Sequence, residues 1–92
     1  MPAVLEQAAE LFGLPVQELE RRSLRAFFEK ELRAIRMEIL AICQKYGVGS
    51  WEDMNELIIE DKVEEGAVLD DFQRVDYLTA KARQIQALLE QV

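Results

Sequence analysis

The chain has 92 residues, half of them apolar, and carries eleven basic against eighteen acidic side chains, for a formal charge of −7. That length bounds one small domain, 1–92, and that charge opposes non-specific binding to DNA, RNA or an anionic membrane surface. Histidine is missing altogether, which removes the usual neutral-pH base and the commonest zinc ligand.

The first expected helix spans residues 3–12, with Val4, Leu5, Ala8, Leu11 and Phe12 on its apolar face. Pro2 suits its start and Gly13 its end. Pro15 then opens a second helix, which the pattern carries to Tyr46. Within it Phe28, Leu32, Ile35, Ile39, Ile42 and Tyr46 recur at alternating spacings of four and three residues. That is a heptad-like seam, and it predicts helix packed on helix. Cys43 lies inside this apolar pattern and reads as a small buried hydrophobe. A single cysteine forms no internal disulfide and suits a reducing, cytoplasmic setting.

Gly47-Val48-Gly49 breaks the long helix. Ser50 reads as the N-cap of a third helix, with Asp53 three residues on. This helix runs through Met54, Leu57 and Ile58 and fades near Asp61. Lys62 to Gly66 reads as a charged turn. A fourth helix starts between Val68 and Asp70, with Val68, Phe72, Val75, Leu78, Ala82, Ile85, Leu89 and Val92 as its stripe. The expected fold is all-α: a long helical hairpin with shorter flanking helices. The two long helices outreach the short ones, which predicts a homo-oligomer or a hetero-complex. No basic region precedes an apolar run at the N-terminus, so a signal peptide is not expected, nor is a membrane partner. No stretch approaches the ~20 apolar residues that span a bilayer.

Charge is segregated along the chain. Residues 20–45 carry seven bases against four acids, whereas residues 51–76 carry ten acids against Lys62 and Arg74. The acidic stretch suits a basic protein partner, with complementary charge speeding encounter more than it adds affinity. The residues expected to face that partner are Trp51, Glu56, Glu60, Asp61, Glu64, Asp70 and Asp71. Trp51 is the single tryptophan and would serve as an interface anchor or pack the hairpin end.

Two enzyme or nucleic-acid alternatives use the same residues differently. Glu56, Glu60 and Glu64 are spaced by four, and hard cations favour such carboxylates. A magnesium-dependent nucleotide hydrolase would use them together with the acids of the fourth helix. Small helical nucleotide pyrophosphohydrolases are similar, although their tight acid spacing is matched only loosely. A DNA-binding homodimer would instead use Arg21, Arg22 and Arg25 on phosphates. Catalytic residues, metal ligands and cofactors are not expected: Ser23, Ser50 and Thr79 lack an activating histidine, and no Gly-rich phosphate loop follows a strand.

Two segments carry a family resemblance. Residues 8–28, through the Phe12-Gly13-Leu14-Pro15 turn, resemble the helical half of ribbon-helix-helix proteins. The rest, from Leu32 through Lys45-Tyr46-Gly47-Val48 and Trp51-Glu52-Asp53 to Asp71–Leu78, resembles the small acidic antitoxins of prokaryotic toxin–antitoxin modules. The resemblance implies a dimerising helix pair and an acidic region that inhibits a partner protein. A ribbon-helix-helix protein reads DNA with a strand before its first helix, where this chain has Met1, Pro2 and Ala3. DNA reading is therefore not expected.

Overall fold

The computed structural model describes residues 2–50, 53 and 65–92, and among these the chain is all-α. Helix α1 is Pro2–Phe12, α2 is Val16–Lys45 and α3 is Glu65–Leu89. The two long helices run antiparallel. Arg25, near the start of α2, donates to the Val92 carbonyl oxygen at 2.6 Å, and Lys45, at its end, meets Asp71 near the start of α3. The expected long hairpin with a shorter flanking helix is present. Of the expected helix after Ser50, only its start is described: the Ser50 hydroxyl accepts the Asp53 amide N–H at 3.3 Å, and Asp53 is helical.

The seam between α2 and α3 is the core. Leu32 and Ile35 from α2 and Leu78 and Ile85 from α3 form one buried cluster, with Phe28, Ile39, Ala82 and Leu89 packed against it. Val68, Val75 and Cys43 are the most completely buried side chains. Ile42, expected in the seam, is half-buried, and Cys43 beside it goes inside instead. Each large side chain fully withdrawn from water contributes about 1.5–3 kcal/mol.

Both helix ends are fixed by glycine. Gly13 and Gly47 sit at φ +66° and +68°, a left-handed conformation that costs other residues about 1–2 kcal/mol. Each closes the same motif. The Gly13 amide bonds the Glu10 carbonyl and the Leu14 amide bonds that of Ala9; the Gly47 amide bonds Gln44 and the Val48 amide bonds Cys43. Carbonyls that the helix end would otherwise leave unpaired are thereby satisfied. At the other end of α2, Pro15 is extended and its carbonyl accepts the first helical bond from Leu19, so the helix proper starts one residue later than expected.

Two expectations fail here. Helix α3 begins at Glu65, so Glu65 and Gly66 are helical rather than part of a turn. The apolar face of α1 is also only partly covered: Leu5 and Ala8 are half-buried and Ala9 is buried, whereas Leu11, Phe12 and Val4 are 79%, 70% and 65% exposed. The small Ala9 lets the backbone of α1 approach its neighbour closely, and the bulky row turns away from that contact.

The result is a rod of 59 × 21 × 20 Å. Its radius of gyration is 19.2 Å, against about 12 Å for a compact chain of this length. One of its two widths of about 20 Å is that of two helices side by side, each about 10 Å thick.

Candidate partner-binding surface

The acidic end of the rod is organised by Asp71. Its carboxylate accepts from the Tyr46 hydroxyl and pairs with the Lys45 ammonium at 2.9 Å, while Lys45 Nζ also stands 5.4 Å from the centre of the Tyr46 ring. Lys45 and Tyr46 follow one another at the end of α2, and the Gly47 turn aims both at α3. The Tyr46 hydrogen bond and the Lys45 ion pair hold Asp71 below its ordinary value of 3.8. Burial, together with the bond to Asp71, raises the Tyr46 phenol above its usual 10.0.

This clamp gives a pH dependence with a definite sign. Because folding lowers the Asp71 pKa, its stabilisation is present above 3.8 and is lost as pH falls through the folded value. Asp71→Asn should lower stability by about 1 kcal/mol near pH 7 and by less near pH 2, because the gap closes as pH falls below 3.8 through the folded value. Urea midpoints of both proteins at the two pH values check this; an equal gap at both would show that Asp71 does not act as an anion.

A second polar cluster lies midway along the hairpin. Arg74 on α3 grips the Glu38 carboxylate on α2 with both guanidinium arms. The Arg74 hydrogen bonds hold Glu38 below the ordinary carboxylate value. The exposed Tyr77 ring is flanked by Arg74 and Lys81 at 5.4 and 5.7 Å from its centre. The four-residue spacing of Asp70 and Arg74 offers an exposed pair along α3, but Arg74 reaches across to α2 instead, a contact that spacing along one helix does not reveal. The spacing Arg74, Tyr77, Lys81 places all three on one face of a helix and was the available signal. Between Glu38, Arg74, Tyr77 and Lys81 is an open groove of about 190 Å³. That is below the ~300 Å³ at which small-molecule sites begin.

Of the residues expected to face a partner, Trp51, Glu56, Glu60, Asp61 and Glu64 lie outside the described residues. Asp70 is exposed, and its neighbour Asp71 is turned into the clamp. The two adjacent acids therefore do different work. Among the described residues, no three acids or cysteines are grouped to hold a metal ion. The basic end is largely tied up: Arg21 and Arg22 both bond Glu18, at 2.6 and 2.9 Å, and Arg25 is held by Val92. Those two hydrogen bonds lower Glu18 to about 2. The three arginines proposed for phosphate contact thus already have partners within the chain.

Fold and surface together define an elongated helical hairpin, closed by polar clamps, with exposed apolar residues at one end and acids at the other. The chain belongs to the uncharacterized protein MJ0235 family, whose family model it matches over residues 1–92. No curated protein and no solved structure matches it. No helix among the described residues is long and apolar enough to cross a membrane.

Proposed function

We propose that this chain works by protein–protein contact, its acidic stretch engaging a basic partner in the manner of an antitoxin-like inhibitor. The observation that carries the reading is the charge segregation: ten acids against two bases between residues 51 and 76. The fold supports it. The rod offers a long surface for its mass. Asp70 supplies an exposed carboxylate at the acidic end, beside the Asp71 clamp that fixes the local backbone. Such a field raises the encounter rate with a cationic surface by about 10- to 1,000-fold at low salt.

The test is capture of the tagged chain from its native cells, with co-purifying proteins identified by mass spectrometry. The reading expects one dominant, stoichiometric and basic protein. Capture of nothing, or of acidic proteins only, would overturn it.

A further inference from the structure

A row on α2 has no cover. Phe27, Lys30, Ala34, Met37 and Ala41 lie about 150° around the helix from the Leu32–Ile35–Ile39 row that packs against α3, at 100° per residue. Phe27 and Met37 are 56% and 64% exposed, Leu40 at the border is 40% exposed, and both alanines are exposed. Phe27, Lys30 and Met37 stand out beside the small Ala34 and Ala41, a surface relief that lets two helices interlock.

From this row we infer that α2 packs against α2 of a second copy of this chain, with the two helices antiparallel. Area and charge select this occupant. The chain exposes 6874 Å², whereas a compact protein of its mass exposes about 5,500 Å². The excess of about 1,400 Å² exceeds the ~800 Å² per partner of a standard stable interface. Charge sets the orientation. Asp53, Asp70, Asp71 and Asp76 belong to the stretch of ten acids and two bases that follows α2, and the Asp71–Lys45 pair places α3's share of it at the C-terminal end of α2. A parallel pair would set two such ends side by side. The antiparallel pair sends them to opposite ends, each beside the N-terminal half of the other copy's α2, where Arg21, Arg22, Arg25 and Lys30 stand against only Glu18, Glu20 and Glu29. None of the ion pairs among the described residues uses Lys30, Arg33 or Arg36, which leaves this stretch of α2 with charge to offer. The small Ala34 sits near the two-fold, where the backbones approach most closely. The pairing stands apart from the partner reading, and it would make the assembly two-ended, with one acidic end per copy.

Sedimentation equilibrium of the full chain at about 100 μM tests the pairing. The expected mass is twice the 10.6 kDa of one chain. Met37→Glu and Phe27→Glu, at side chains exposed in the single chain, should each return it to one copy with unchanged circular dichroism. A one-copy mass for the unaltered chain, or a two-copy mass that survives both substitutions, would overturn the inference. Orientation is read by a spin label at Gln17→Cys in a Cys43→Ala background. Antiparallel helices crossing near Ala34 put the two labels about 50 Å apart. A separation of about 20 Å or less would mean a parallel pair and overturn the orientation.

Discussion

Val75→Asp should unfold the hairpin at room temperature. Val75 is completely buried in the middle of α3, and its row neighbours Leu78 and Phe72 are apolar. Substitution removes about 2 kcal/mol of apolar burial and places a carboxylate in a site closed to water. An uncompensated buried charge adds several kcal/mol more. A chain of this length has about 5–14 kcal/mol of stability in total, and a rod with a single row of core contacts belongs near the lower figure. The expected result is loss of the helical circular dichroism signal, or a protein that stays helical only at acid pH, where the carboxyl is neutral. Asp76→Ala, one residue along and exposed, should change stability by less than about 0.5 kcal/mol. A Val75→Asp protein with a cooperative transition within about 1 kcal/mol of the parent would mean that the α2–α3 seam is not the core.

The second large effect concerns binding. Reversing Glu60 and Glu64 to lysine takes the formal charge of residues 51–76 from −8 to −4. If a basic partner is steered by that field, halving it should slow association by about tenfold at low salt. The difference should shrink as salt shortens the reach of the charges to about 3 Å near 1 M. Neither substitution removes an apolar side chain, so helicity should hold. Surface plasmon resonance with the captured partner reads the rates. Unchanged affinity at low salt would sink the acidic-surface reading.

The parts of the fold that sequence made legible are those with local causes. The three- and four-residue spacing of Leu32, Ile35 and Ile39 reports which side of α2 packs, because periodicity and burial are the same geometric fact. Gly13 and Gly47 mark helix ends because few other residues tolerate their positive φ. What stayed hidden depends on contacts between distant residues. The burial of Ala9, with Leu11 and Phe12 left outside, is decided by how α1 crosses its neighbour, and an amphipathic pattern does not state the crossing. Arg74 bonds Glu38, 36 residues away, although Asp70 stands at the four-residue spacing that favours a pair along one helix. Asp71 looked like one more acid in an acidic run until the hairpin brought Tyr46 and Lys45 to it. Of the proposed partner-facing set, Asp70 keeps an exposed carboxylate, Asp71 has a structural role, and the other five lie outside the described residues.

The association rate of the chain with its captured basic partner, followed across a salt series, tests the central claim most directly. The account predicts a fall of about tenfold or more between roughly 0.05 and 0.5 M salt, with a dissociation rate that changes far less. A rate that stays flat across the series would contradict it, and would mean that the acidic stretch is a solvated surface with no part in recognition.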